Sequence, residues 1–206
     1  MAKTSGSLRV KKTGGFSPGD SNYKGSIKNI KPLSSIKHND VYREIKQGIS
    51  RYHAELGVRE RDVKLAELSP NVNGVQMSSV TGENKGIYLN SRVYNMKKGE
   101  IIKRTRNAYN SGWSTITNKP IQHTITHELA HATWNTYKTG KKYKTAGKEI
   151  SSMYSSWLKD KSKKGYGTYA KTNVNEFFAE VTSKAVHGKA DSYTRKTKRI
   201  IKKYKL

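Results

Sequence analysis

The segment His127-Glu128-Leu129-Ala130-His131 constrains the fold of this chain more than any other feature of the sequence. Apolar residues before it and within it, at positions 121, 125 and 129, recur at helical spacing. Pro120 suits the first turn of such a helix. Because residues four apart lie one turn apart on the same helix face, the two imidazoles can bind a single ion. The sequence therefore predicts a helix that begins near residue 120 and carries a metal site.

The residue between the two histidines that matters chemically is Glu128. It lies at the edge of the metal-binding face, where it can reach a water molecule without taking a coordination position. Zinc lowers the pKa of a bound water toward ~7 and polarises a carbonyl, and a nearby carboxylate can accept the proton. The motif therefore predicts zinc ligands at His127 and His131 and a general base at Glu128. The alternative is a surface helix whose two histidines face solvent.

A catalytic zinc needs a third protein ligand, and here the sequence offers carboxylates instead of a nearby histidine. The residues directly after His131 contain no histidine, and His187 is the only one further downstream. Glu176 and Glu180 lie one turn apart in an otherwise apolar segment, a predicted helix over about residues 174–185. Burying two acids beside phenylalanines is costly unless a positive charge compensates, and a metal site would supply one. The alternative is that both acids face solvent.

Taken together, these two segments resemble the gluzincin metallopeptidases, and most closely the catalytic domain of anthrax lethal factor and its relatives. The resemblance covers about residues 85–187 and is strong at residues 127–131 and 169–180. It implies a zincin-like α+β fold, rich in helices, with a small and mainly antiparallel sheet. It also implies a zinc-dependent endopeptidase that acts on a protein or peptide. The domains that deliver lethal factor and dock its substrates have no room in this chain, so substrate specificity is not implied.

The resemblance also assigns roles to individual residues. Glu176 would be the third zinc ligand, and Glu180 would orient a zinc-bound histidine. Tyr169 would donate a hydrogen bond to the oxyanion that forms during hydrolysis. The alternative for Tyr169 is packing against Tyr166 or the domain surface. His123, one turn before the motif, is expected on the helix surface or in a capping role, and the alternative is that it enters the site.

The remaining periodicities predict an α+β domain over residues 38–188. Its other elements, in chain order, are a helix from Asn39 to a cap at Gly57, strands at 63–65, 75–80 and 87–94, and a helix through 150–158. The two later strands are expected to form a hairpin. The apolar stripe of the last helix is expected to lie in the core, and it comprises Ile150, Met153, Tyr154, Trp157 and Leu158. Residues 97–118 give no clear prediction.

Charge dominates the composition, with 41 Lys and Arg against 15 Asp and Glu, a net charge of +26. Such an excess attracts polyanions. Residues 1–37 are predicted to be a flexible basic arm and residues 189–206 a basic tail, for which a short basic helix is the alternative. Either segment would suit nucleic acid or another polyanion. A second interpretation is therefore a basic nucleic-acid-binding or phage virion-associated structural protein that retains a zincin fold. A protease that digests DNA-crosslinked proteins is also consistent, although that class normally has a third histidine close downstream.

Several classes are excluded by what the sequence lacks. Without cysteine, the chain has no disulfide, no thiol catalysis and no cysteine-bound zinc. No apolar segment approaches the roughly 20 residues needed to cross a bilayer, and the N-terminus lacks the apolar region of a secretory signal. We therefore expect a cytoplasmic protein, or one that is delivered or virion-associated without a signal peptide.

Overall fold

A computed structural model describes residues 23, 25–78, 84–140, 143–162 and 164–204. These residues form four strands and seven α-helices, which confirms the predicted α+β class. In chain order they are β1 (Lys28–Pro32), α1 (Asn39–Leu56), β2 (Val63–Glu67), β3 (Gly74–Ser78), β4 (Asn84–Asn90), α2 (Ser91–Tyr94), α3 (Lys98–Asn110), α4 (Pro120–Thr139), α5 (Lys144–Lys159), α6 (Val174–His187) and α7 (Ser192–Lys203). Short 3-10 helices occupy Leu33–Ser35 and Thr168–Lys171. None of the described helices is long and apolar enough to span a bilayer.

The four strands form one small mixed sheet in the order β1-β2-β4-β3. Strand β2 is parallel to β4, whereas the β1–β2 and β3–β4 pairs are antiparallel. The β3–β4 pair is the predicted hairpin, with Gly74 opposite Leu89 and Gln76 opposite Ile87. The residues that join these two strands, 79–83, lie outside the described part of the chain. The sheet is thus small, as predicted, and mixed, with two antiparallel strand pairs and one parallel pair.

Helix α4 is the central element, because α1, α6 and β3 all pack against it. The predicted proline is its first residue. Glycines permit two of these close approaches: a Cβ on Gly48 of α1 would lie 3.1 Å from Gln122 and Ile125 side-chain atoms, and one on Gly74 of β3 would lie 3.0 Å from Thr124. Covered on several sides, α4 holds even its polar residues in the interior.

The start of the folded domain differs from the sequence prediction. Residues 28–32, which we assigned to the flexible arm, form β1 at the edge of the sheet, and Ile36 is buried in the core. All five β1 side chains are exposed, so the strand lacks the alternation that identifies a half-buried strand. Backbone pairing with β2 holds it instead. Residues 1–22 of the predicted arm lie outside the described residues.

The predicted tail, 189–206, also proves to be largely folded. Asp191 caps α7 by accepting a hydrogen bond from the backbone of Thr194. The helix buries Ile200 and Ile201 and packs against α5 and α6. Its apolar side is narrow and lies among many basic residues, which is why the composition alone suggested a tail.

Three local expectations also need correction. Residues 91–94 are helical, because the side chain of Asn90 caps a new helix where a strand was expected to continue. Helix α3 fills much of the segment that gave no prediction. On α5, Leu158 is 46% exposed, although the predicted core stripe included it. Ile150, Met153 and Trp157 of that stripe are buried.

Candidate metal centre

Helices α4 and α6 bring three potential ligand atoms together. His127 Nε2 lies 2.9 Å from His131 Nε2 and 3.1 Å from Glu176 Oε2, and His131 Nε2 lies 3.2 Å from the same oxygen. Two ligands that each lie about 2.0–2.1 Å from a tetrahedral zinc ion are separated by roughly 3.3 Å. The three atoms therefore fit one small ion with shifts of a few tenths of an ångström.

The three side chains are all buried, so their charges interact strongly. Burial opposes ionisation of Glu176, but the charge of His131 and hydrogen bonding to both histidines lower the pKa of this carboxyl to about 2. Burial also opposes the charged form of His127 and so lowers its pKa. The carboxylates of Glu176 and Glu180 outweigh this effect and raise the pKa of His127 to about 10. The site is thus an anionic carboxylate facing imidazoles, and a metal cation could replace the imidazole proton.

Glu180 lies behind the cluster, one turn after Glu176 and fully buried. Its Oε1 lies 2.9 Å from His127 Nδ1, and its Oε2 accepts a 2.7 Å hydrogen bond from the backbone N–H of Thr115. A carboxylate behind a histidine fixes the orientation of the ring and leaves Nε2 to face a metal. This is the position that the predicted role of Glu180 requires.

Glu128 lies on the side of α4 that faces β3, where a Cβ on Gly74 would come within 3.2 Å of its Cγ. Both carboxylate oxygens are buried, beside the backbone of Gln76 in β3. Burial raises the pKa of Glu128 to about 7, although His127 and His131 oppose the shift. A carboxyl group with a pKa near neutrality can both accept and return a proton, as a general base must.

Tyr169 is brought to the same site by the turn that precedes α6. Its ring stacks on that of His127 with centroids 5.9 Å apart and also contacts Trp113 at 5.2 Å. Asn173 caps α6 by accepting hydrogen bonds from the backbone N–H groups of Asn175 and Glu176. The cap permits the change of direction between the 3-10 helix and α6, so Tyr169 approaches the cluster, as predicted from the sequence.

His123 lies in the site, which was the less favoured of its two predicted positions. It is only 2% exposed, so the predicted surface or capping role is wrong. Its Nε2 lies 3.2 Å from Glu180 Oε1, and its Nδ1 lies 3.1 Å from the hydroxyl of Tyr109. The signal was present in the sequence, since His123 precedes His127 by one turn and shares its face.

Among the described residues, two groups could hold a metal ion. One is His127, His131 and Glu176, and the other is His123, His127 and Glu180. His127 belongs to both groups and faces the first through Nε2 and the second through Nδ1. In the second group, the Glu180 carboxylate also accepts the Thr115 amide. His187, the other downstream candidate, is buried but belongs to neither group.

Comparison with known proteins adds no relative to this description. No family model matches the chain, and no curated protein or solved structure is significantly similar to it. A functional assignment therefore depends on the chemistry of the site itself.

Proposed function

We propose that this chain is a zinc-dependent endopeptidase of the gluzincin type, with the lethal-factor arrangement of residues. One observation carries the proposal: nitrogens of His127 and His131 and an oxygen of Glu176 converge within 3.2 Å in the buried centre of the domain. Burying two imidazoles against a carboxylate costs desolvation free energy, which a shared cation would offset.

The donor set supports zinc as the metal. Two imidazoles and one carboxylate are typical of catalytic zinc sites, which leave the fourth position for water or substrate. Glu180 behind His127 supplies the hydrogen-bond acceptor that usually accompanies a zinc-binding histidine.

Each residue around the site would have one role in peptide hydrolysis. Bound zinc would supply Lewis acidity, polarising the scissile carbonyl and making water a better nucleophile at neutral pH. Glu128 would accept a proton from the attacking water and deliver it to the leaving amine. The hydroxyl of Tyr169 would donate a hydrogen bond to the oxyanion. Glu180 would hold the His127 ring in the required orientation.

The test separates metal binding from catalysis. Purified protein should hold about one zinc per chain and cleave members of a peptide library. Glu128→Gln should retain zinc but lose hydrolysis, because the amide cannot accept the proton. Glu60→Gln, an exposed acid on the surface, is the matched control and should behave as wild type. Full activity in Glu128→Gln would refute the mechanism.

The alternative function makes the opposite prediction. A basic structural protein that only retains this fold would be free of zinc, or would show no hydrolysis that depends on Glu128. The same metal measurement and peptide library therefore distinguish the two functions.

A further inference from the structure

A cleft of about 450 Å³ lies between α1 and the start of α4, away from the candidate metal centre. Its lining residues are Lys46, Gln47, Ser50 and Arg51 of α1, with Lys119 and Gln122 at the beginning of α4. Three of these six side chains are basic and none is acidic. The cleft is therefore a cationic cavity lined with additional hydrogen-bonding groups.

The positive charge of this cleft is not neutralised by ion pairing. Lys46 and Arg51 are exposed and Lys119 is half-buried, and none of the three forms an ion pair with an acid in the described part of the chain. Glu44 is the acid that borders the cleft: it is close enough to interact with Lys119 and accepts a hydrogen bond from Gln122, but it forms its ion pair with Lys98. The first turn of α4 has no acidic residue and no side-chain cap. The partial positive charge at the beginning of this long helix thus adds to that of the three cations.

The cationic surface continues from the cleft onto α7. The backbone N–H of Asn118 donates to the carbonyl of His187, which places the start of α4 beside the end of α6, from which the chain enters α7. Lys198 of α7 forms an ion pair with Glu55 of α1, one turn beyond Arg51. The two helices therefore meet along the edge of α1 that also borders the cleft.

Helix α7 presents a row of basic residues on this side. Arg195, Lys198, Arg199 and Lys202 have the spacing of a single helix face, while the opposite face is buried in the core. Together with the cleft they form what we call the basic face. Its members are Lys46, Arg51, Lys119, Arg195, Lys198, Arg199 and Lys202. Only Lys198 among them is paired with a described acid.

The chemistry of the basic face points to the backbone of a duplex. Duplex DNA carries about one negative charge per 1.7 Å of its axis, and Lys and Arg bind it by neutralising phosphates. None of the residues of the basic face is aromatic, whereas proteins that bind single strands stack the bases on aromatic rings. An exposed row of cations without stacking groups suits phosphates on a regular double helix.

We propose that the basic face binds the phosphate backbone of duplex DNA, with one phosphate seated in the cleft between α1 and α4. Binding of this kind is independent of base sequence. The face is separate from the metal centre, since Lys119 precedes His127 by eight residues, or about 12 Å along α4. The proposal does not depend on whether the chain hydrolyses peptides.

The test is a salt titration of binding to a short duplex of random sequence, measured by fluorescence anisotropy on the full chain. Two triple variants probe the face: Lys46→Gln, Arg51→Gln and Lys119→Gln in the cleft, and Arg195→Gln, Arg199→Gln and Lys202→Gln on α7. A matched control removes the same charge from the β1–β2 edge, through Lys28→Gln, Lys31→Gln and Lys64→Gln.

Each phosphate contact contributes about 0.9 to the slope of log K against log salt concentration. We therefore expect each face variant to reduce the magnitude of this slope by about 2–3, and the control variant to keep the wild-type slope. The zinc content should be unchanged in all variants. The α7 variant alters only exposed side chains, so it keeps the test valid if the cleft variant folds poorly.

Four results would overturn the proposal. An equal loss of salt dependence in the control variant would show that duplex binding depends only on net charge. Unchanged duplex binding in the α7 variant would exclude the face, and a loss of binding to phosphatidylserine vesicles alone would identify a membrane surface instead. Tighter binding to a single strand than to the duplex would exclude the predicted partner.

Discussion

Glu176 and Glu180 lie one turn apart on one helix, yet the structure gives them different neighbours. Glu176 meets the Nε2 atoms of both motif histidines. Glu180 meets the opposite side of His127, at Nδ1, and the backbone of Thr115. Under the proposed function, Glu176 would therefore be a ligand and Glu180 the residue that orients one.

This difference predicts separable effects on zinc binding. Glu176→Ala should abolish zinc retention, because one of three ligands is lost. Glu180→Ala should weaken zinc affinity about 10–100-fold, the usual loss when the partner of a zinc-binding histidine is removed. Equilibrium dialysis with zinc measures both, and Glu60→Ala is the control. If Glu180→Ala removes the metal and Glu176→Ala does not, the two assignments are reversed.

Tyr169 makes a second prediction at the residue scale. Tyr169→Phe keeps the ring contacts with His127 and Trp113 but removes the hydroxyl. We expect kcat to fall by about 10²–10³, as for one lost oxyanion donor, with little change in KM. Zinc content should stay at the wild-type level.

Steady-state kinetics on one cleaved peptide provide the measurement for Tyr169. The matched control is Tyr204→Phe, which changes a half-buried tyrosine at the end of α7. Wild-type turnover in the Tyr169→Phe variant would leave Tyr169 with a packing role only.

At the scale of elements, the placement of the site depends on how closely α1 approaches α4. Gly48 provides this approach, since a Cβ there would already lie 3.1 Å from Gln122 and Ile125 atoms. Gly48→Val should therefore lower the free energy of unfolding by about 1–3 kcal/mol, the usual cost of overpacking. Urea denaturation measures the change.

The matched control for this prediction is Gly99→Val in α3, where a new Cβ would meet nothing within 4 Å. It should change stability by less than about 0.5 kcal/mol, as most surface substitutions do. Equal destabilisation by both substitutions would show that the α1–α4 contact is not tight.

The elements that were predictable from the sequence are those with a strong helical period. The apolar face of α1 and the cap at Gly57 identified that helix, and Pro120 marked the start of α4. Strand β1 could not be predicted, because all its side chains are exposed and only backbone pairing holds it. The spacing of His123 put it on the face of His127, but the packing of α6 against that face is a tertiary contact, and for this reason its burial was not predicted.

The candidate site was predictable to the extent that it is local. Residues one turn apart on one helix meet by geometry alone, as His127 and His131 do. The approach of Glu176 from another helix is a tertiary contact. The cost of burying two acids indicated such a contact, and the resemblance selected Glu176 as the ligand. The basic face escaped prediction for the same reason, because α1, α4 and α7 meet only in the folded domain.

At the scale of the whole molecule, the buried charges make stability depend on pH and on metal. In the metal-free chain, burial lowers the pKa of His127, but Glu176 and Glu180 raise it to about 10. A histidine whose pKa rises on folding stabilises the fold below its unfolded pKa of about 6.5, and this contribution disappears as pH rises toward 10. Bound zinc would hold the ring in its neutral form and so remove this dependence.

We therefore expect the chelated chain to lose on the order of 1–3 kcal/mol of unfolding free energy between pH 6.5 and 8.5. The zinc-loaded chain should show no such loss. Urea denaturation at both pH values, with and without chelator, measures the difference. The metal-free His127→Gln variant is the control, and its unfolding free energy should fall clearly less between pH 6.5 and 8.5. A metal-free wild type that is equally stable at both pH values would contradict the prediction.

The pairing of His131 with Glu176 has one more consequence. These residues are 45 positions apart, and helix α5 and the turn bearing Tyr169 lie between them. With no cysteine in the sequence, a shared ion would be the cross-link that closes this long loop. Unlike a disulfide, such a link would strengthen by about 1.4 kcal/mol for each tenfold rise in free metal above its dissociation constant. The stability of the fold around the candidate metal centre would then depend on the concentration of free zinc.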